Sequence, residues 1–114
     1  MAMKRGEVYE LDYADSVGSE MKGADRVVIV SNDIINEKAS VVIICPITDA
    51  FGKDSPIHIP VPEGSDGVTK DSIVHCGQVR AVDKTRLGKR HGQFDRFIMA
   101  KVSKGLKAAL AIDF

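Results

Sequence analysis

Residues Gly18–Asp33, GSEMKGADRVVIVSND, decide how the rest of the 114-residue chain reads. The first half is a polar, glycine-bounded loop carrying Ser19, Glu20, Lys22 and Asp25. The second half, Val27-Val28-Ile29-Val30, is a short apolar β-branched run closed by Ser31-Asn32-Asp33, which predicts a buried strand. Arg26 sits at the seam. The interior of such a strand has no room for a guanidinium, so Arg26 is expected at its open end, facing whatever the loop covers. An ordinary strand that begins with a salt bridge from Arg26 to Glu20 or Asp25 has the same pattern, and the stretch alone does not choose.

Upstream, Tyr9, Leu11 and Tyr13 alternate with charged residues and predict a half-exposed strand over 7–13. The connection from Ala14 to Asp25 is long for a hairpin and is a candidate functional loop. Downstream, Val41-Val42-Ile43-Ile44-Cys45 is the strongest strand in the chain, and Pro46 must weaken its pairing because proline lacks a ladder donor. Ile47-Thr48-Asp49 then leaves the core, which places Thr48 at a second fixed strand end. Ile57–Val61 predicts a short strand that Pro60 confines to an edge. Residues 72–76 and 78–82 read as one strand with a bulge at Gly77, in which Gln78 and Arg80 share a polar face. The run Lys84, Arg86, Lys89, Arg90, His91 has little periodicity and reads equally as a solvated loop or a phosphate rail.

Asp95 is a good N-cap for a last helix, in which Ile98, Val102, Leu106 and Leu110 recur at spacings of four. Burying that stripe contributes roughly 1.5–3 kcal/mol per large side chain. Gly105 inside the helix weakens it by about 1 kcal/mol relative to alanine. The helix is a lid on the sheet or a dimer face. These elements make one mainly-β domain over 1–114 with a C-terminal helix.

The totals bound the function. The 44% hydrophobic and 28% charged content is globular, and no leader or long apolar span points to export or a membrane, so a cytoplasmic location is expected. Cys45 and Cys76 lie in apolar runs without metal-ligand spacing and are expected as buried thiols. The zero net charge hides an asymmetry: residues 1–66 hold six Lys/Arg against twelve Asp/Glu, or −6, and residues 67–114 hold ten against four, or +6. A basic half is a possible footprint for phosphate. His58, His75 and His91 are scattered, so no metal site is expected. The chain has no nucleophile elbow, Walker pattern or dinucleotide fingerprint, and no cofactor is expected. What remains is a set of cationic and hydroxyl groups at strand ends: Arg26, Thr48 and the Gln78/Arg80 face.

With those residues assembled, the chain resembles the MazF/PemK family of toxin endoribonucleases. The resemblance runs from Lys4 to Phe114 and rests on Lys4-Arg5-Gly6-Glu7-Val8-Tyr9, Gly18-Ser19-Glu20 before Arg26, Ser31-Asn32-Asp33, Pro46-Ile47-Thr48, Gln78-Val79-Arg80 and Asp83-Lys84-x-Arg86-Leu87. Each piece is short, and their order and spacing carry the resemblance. It implies a small curved β-sheet barrel of the MazF/PemK/CcdB type, working as a homodimer. It implies metal-independent cleavage of single-stranded RNA, chiefly mRNA, at short sequences, leaving 2′,3′-cyclic phosphate and 5′-hydroxyl ends. A cognate antitoxin is expected to lay an acidic tail over the RNA groove.

By matching position, Arg26 and Thr48 would be the catalytic pair, with Glu20 as a base. Ser19, Lys22, Asp49, Phe51, Lys53, His58, Gln78 and Arg80 would contact RNA. The RNA's own 2′-hydroxyl is the nucleophile, so the enzyme must align it and stabilise charge on the phosphorane. Guanidinium resists deprotonation, which ranks charge stabilisation by Arg26 above proton transfer. Two departures stand out: Val27 follows Arg26 where the family commonly has proline, and His75 and Gly77 stand where some members carry a catalytic arginine and aspartate. The alternative reading is a non-enzymatic CcdB-like toxin that poisons a protein such as DNA gyrase. That action is tied to a C-terminal tryptophan-bearing segment, and this chain has no tryptophan.

Overall fold

The structure, a computed structural model, describes residues 2–11, 26–49 and 55–113. Val41–Asp49 forms β3, nine residues long and hydrogen-bonded along both edges. On one edge it pairs with β2 (Arg26–Ile29) in unbroken antiparallel register, with Val27 opposite Pro46. On the other edge it takes two short strands end to end. β5 (Ser72–His75) lies beside Ile47–Asp49, and β6 (Arg80–Asp83) lies beside Val41–Ile44. Cys45 and Pro46 fall between them, so the break in that edge comes where proline has no donor to give.

β1 (Glu7–Leu11) pairs with β2, β7 (Leu87–Gln93) pairs with β1, and β4 (His58–Val61) closes the far edge beside β5. The sheet order among the described residues is β4-β5-β3-β2-β1-β7, with β6 on β3. The fold is mainly antiparallel β with a C-terminal helix, and the expected barrel is a curved sheet that does not close. Pro60 sits on the edge strand β4, as its missing N–H requires.

Alternate residues of the central strands bury in opposite directions. Val8, Val28, Cys45, Ile47 and Val74 face one cluster, and Val27, Ile29, Val42, Ile44 and Val82 face another. Strands covered on both faces read as unbroken apolar runs, which is why 27–30 and 41–45 do not alternate. β1 also departs from the expected one-sided pattern: Leu11 is buried and Tyr9 half-buried on one side, while Val8 is fully buried on the other. Met3, which carries no fold signal in the sequence, packs against the Leu11 cluster. Both cysteines are buried free thiols in the Val8 cluster. Contact with Cys76, and then burial, push the Cys45 thiol well above its ordinary range.

The first cluster is covered by α2 (Arg96–Leu110), whose N-cap Asp95 accepts a hydrogen bond from the Ile98 N–H at 2.9 Å. The helix is therefore a lid on the sheet. Its buried line runs through Met99, Val102 and Gly105, and Leu110 is 55% exposed, so the stripe lies to one side of the expected 98/102/106/110 row. The difference comes from Gly105. A Cβ there would stand 2.7 Å from Cys76 Sγ and 3.0 Å from Ile59 Cδ1, so glycine lets the helix axis approach the sheet.

The basic run 84–91 is mostly strand. Lys84–Arg86 is a single 3-10 turn after Asp83, whose carboxylate accepts hydrogen bonds from the Thr85 N–H and hydroxyl. β7 then pairs its charges with those of β1: Arg90 Nε reaches Glu7 Oε2 at 2.8 Å, and His91 Nε2 lies 3.0 Å from Glu10 Oε1. Most of the run is therefore not the loop that its weak periodicity suggests. At the other end of the sheet, α1 (Asp33–Lys38) is capped by Asn32 and anchored by the fully buried Asn36. The Asn36 Nδ2 donates to the Ser31 carbonyl at 2.9 Å, and its Oδ1 accepts from the Ser31 hydroxyl.

Replacing Gly105 by alanine sets a helix-propensity gain of about 1 kcal/mol against overpacking of about 1–3 kcal/mol. The sheet contact wins. Gly105→Ala is expected to lower the midpoint of thermal unfolding by about 5 °C, where an exposed helix position would gain from the same change.

Candidate active site

Of the residues expected to act on substrate, Arg26, Thr48, Asp49, His58, Gln78 and Arg80 are described. Ser19, Glu20, Lys22, Phe51 and Lys53 lie outside the described residues. The strand register assigns each described one to a face. Arg26 is opposite Glu10 on one side and Ile47 on the other. Cross-strand partners share a face and successive residues alternate. Arg26 therefore stands on the helix-covered face with Ile47, and Thr48, the next residue of β3, stands on the opposite one.

The Arg26 side chain agrees with its register. Its Nη1 donates to the Gly67 carbonyl at 2.7 Å. Gly67 adopts φ +101, and a Cβ on it would stand 2.9 Å from Val8 Cγ2, within the core that α2 covers. Arg26 thus ties the turn after β4 to the first residue of β2. Arg26 is in register with Ile47, the row next to Thr48 along β3. Asp49, also expected at the RNA, likewise points away from Thr48's face and pairs with Lys70 Nζ at 2.6 Å.

Thr48 is half-buried and opposite Ile73. His75 follows two residues later on the same face, a diagonal neighbour at about 7–8 Å between backbones. His58 lies directly across from His75, and the two rings meet edge to face, with centroids 4.4 Å apart and Nε2 atoms 3.3 Å apart. One imidazole donates and the other accepts at that contact, so the pair holds a single proton there. His58 Nδ1 is buried without a hydrogen bond among the described residues. Arg80, the first residue of β6, is opposite Ile44 and so shares this face too. No aspartate or glutamate of β3, β4, β5 or β6 lies on it, and the surface is one that suits an anion.

The break between β5 and β6 differs from the expected single bulge. Cys76–Gln78 forms a 3-10 turn, with the Cys76 N–H donating to the Ile57 carbonyl at 2.9 Å. Gln78 therefore lies half-buried in a turn and not on a strand beside Arg80. Among the described residues no group of three or more His, Cys, Asp or Glu side chains could hold a metal ion. No helix among them is long and apolar enough to cross a membrane.

Residues 4–110 match the model of the PemK-like, MazF-like toxins of type II toxin–antitoxin systems. The chain belongs to this family. It is 36% identical over 116 residues to the endoribonuclease EndoA of Bacillus subtilis, with all of both chains covered. It is 32% identical over 112 residues to the endoribonuclease MazF of Staphylococcus epidermidis, covering 97% of this chain and 93% of that one. Among solved structures it resembles a mycobacterial endoribonuclease in complex with its cognate antitoxin, with a TM-score of 0.80, 25% identity and 99% of each chain covered.

Membership of the MazF-like family makes Arg26's position informative. A family resemblance in sequence led to this arginine, and in the structure its Nη1 holds the Gly67 carbonyl. Its hydrogen bond to Gly67 is that of a charged donor to a carbonyl, worth about 1.5–3 kcal/mol. Arg26→Gln is expected to lower the urea midpoint of unfolding by a corresponding amount, and an unchanged midpoint would show that the guanidinium is not held there.

Proposed function

We propose that this single toxin domain is a type II toxin that cleaves single-stranded RNA, chiefly mRNA, in the cytoplasm. The observation that carries the reading is the polar half of the face bearing Thr48, His58, His75 and Arg80, in a chain of MazF-like family and fold. Cleavage proceeds by attack of the RNA 2′-hydroxyl on the adjacent phosphorus. The P–O5′ bond breaks, and the ends are a 2′,3′-cyclic phosphate and a 5′-hydroxyl. The proton lost by the 2′-oxygen is balanced by the one gained at the 5′-oxygen, so no side-chain nucleophile is required.

In this reading Arg26 stabilises charge on the phosphorane, Thr48 donates its hydroxyl to a non-bridging phosphate oxygen or holds the attacking hydroxyl, and Glu20 takes the proton. Ser19, Lys22, Asp49, Phe51, Lys53, His58, Gln78 and Arg80 contact the RNA around the cut, and base choice rests on hydrogen bonds to splayed bases. The protein acts as a homodimer. A cognate antitoxin blocks it by laying an acidic segment on the anion-receptive face, in keeping with a similar solved endoribonuclease bound to its own antitoxin. The endoribonuclease relatives favour this reading over a CcdB-like poison of a protein target.

The test is incubation of the purified protein with a long RNA in EDTA, followed by mapping of the new ends. Cuts at a recurring short sequence, with 5′-hydroxyl and cyclic-phosphate termini, are expected. RNA left intact, or ends carrying 5′-phosphate, would falsify the mechanism.

A further inference from the structure

We infer that Cys45 and Cys76 form a disulfide site, where a hydroperoxide oxidises the two buried thiols to a cross-strand bridge that pins β3 to the turn after β5. The inference is independent of the endoribonuclease reading. Three observations carry it.

The first is register. Val74 is opposite Ile47 in β5, and the same ladder sets Cys76 opposite Cys45. The line of β5 holds that far: the Cys76 N–H donates to the Ile57 carbonyl at 2.9 Å, continuing the pairing of His58 with His75. It breaks only beyond Cys76. An uninterrupted strand would bring Arg80 opposite Val41, and Arg80 is instead opposite Ile44, a shift of three residues. The two cysteines are therefore the last pair of one ladder.

The second is the kind of pair they make. The Val30 N–H donates to the Ile43 carbonyl at 2.8 Å, so the backbone groups of Ile43, and two residues on those of Cys45, point toward β2. The Cys76 N–H points the other way, to Ile57. Cys45 and Cys76 thus occupy a non-hydrogen-bonded position, where the Cα atoms of antiparallel strands stand about 4.5 Å apart. A disulfide spans about 4.4–6.8 Å between Cα atoms, so the bridge forms with little backbone movement.

The third is the setting of the sulfurs. Both side chains are fully buried in the cluster under α2. The Cys45 thiol donates to the Cys76 sulfur, which draws the Cys76 thiol below its ordinary range. Cys76 is therefore the first nucleophile. Its thiolate attacks a peroxide oxygen, the O–O bond breaks, and the departing hydroxide takes up the proton that Cys76 lost, leaving water and a sulfenic acid. The Cys45 sulfur then attacks the Cys76 sulfur. The S–S bond forms, the S–O bond breaks, and the oxygen leaves with the Cys45 proton as a second water. Two electrons pass from the thiols to the peroxide. Burial limits the reaction to local opening of the turn, and it shields the finished bridge from reductants in the same way. The bridged segment 45–76 carries Thr48, His58 and His75, so oxidation stiffens the part of the fold that holds the polar face.

The experiment treats the reduced full chain with hydrogen peroxide, blocks remaining thiols with iodoacetamide in denaturant, and maps the tryptic peptides. Peptides 39–53 and 71–80 are expected to be joined within one chain. The midpoint of thermal unfolding rises by about 10 °C and returns on reduction with dithiothreitol. Cys45→Ala and Cys76→Ala, each shown to be folded by circular dichroism, give neither the joined peptides nor the rise. The wild-type map decides the matter alone where a variant does not fold. Thiols that stay free in the treated native protein, a bridge that forms only in urea, or one that joins two chains overturns the inference. So does an intrachain bridge that leaves the midpoint unchanged, or a folded single-cysteine variant that shows the same rise.

Discussion

The hydrogen-bond register of β3 is the constraint on which the rest of the molecule depends. One strand is paired along its whole length with β2 on one side and, on the other, with two strands set end to end. Because side chains alternate at every residue, each of these registers fixes a set of faces at once. Pairing with β2 commits Val28, Cys45 and Ile47 to the core under α2 and Val27, Ile29 and Ile44 to the other side. Sliding either partner by one residue would move each of its side chains to the opposite cluster, where the packing is shaped for others, so the ladder is stiff. Arg26 and Thr48 inherit their faces from it.

That stiffness explains how a three-residue turn can alter chemistry. Cys76 enters the core, where its Sγ lies 3.7 Å from the Val102 carbonyl and packs where Gly105 has no side chain. Gly77 passes Ile57 and His75 so closely that a Cβ would stand 2.9 Å and 3.1 Å from their atoms. The turn is held by packing from both sides, and the odd register shift it introduces is held with it. The close approach of α2 at Gly105 and the facing of Arg80 are therefore consequences of one local geometry.

The sequence makes the strongly apolar parts of this fold legible and is silent on parity. Val27–Val30 and Val41–Cys45 announce buried strands because burial on both faces removes all polar residues from them. Asp95 and the apolar residues behind it announce α2. β7 leaves no such trace: Leu87–Gln93 is an edge strand of the described sheet whose Arg90 and His91 meet Glu7 and Glu10 across the ladder, while Leu87 alone of its large apolar side chains packs on the core. The break at Gly77 is visible, yet a one-residue bulge and a three-residue turn have the same glycine signature and set Arg80 in different rows of β3. For Arg26, the deciding partner is the carbonyl of Gly67, 41 residues away. His58 and His75 are likewise 17 residues apart, and only the β4–β5 pairing makes them a couple.

The motifs by which the chain is recognised also divide between architecture and chemistry, and most fall on the first side. Arg5 donates its N–H to Asp33, its Nε to the Val30 carbonyl and its Nη2 to Ser103, joining the first loop, β2, α1 and α2. The Arg5 N–H is also the chief reason that the Asp33 carboxyl sits below the usual carboxylate range. Ser31 accepts the Ile43 N–H at 3.0 Å while bonding to buried Asn36. Asp83 caps the turn that leads into β7. These residues sit in matching positions because they close this particular sheet, so finding them identifies the fold first. A motif residue beside a strand end is one register step from changing faces, and its role follows from the ladder that holds it. Arg26 illustrates the point: the charge that abuts an apolar run in sequence gives its Nη1 to a backbone carbonyl in the structure, which ties its strand to the turn at Gly67.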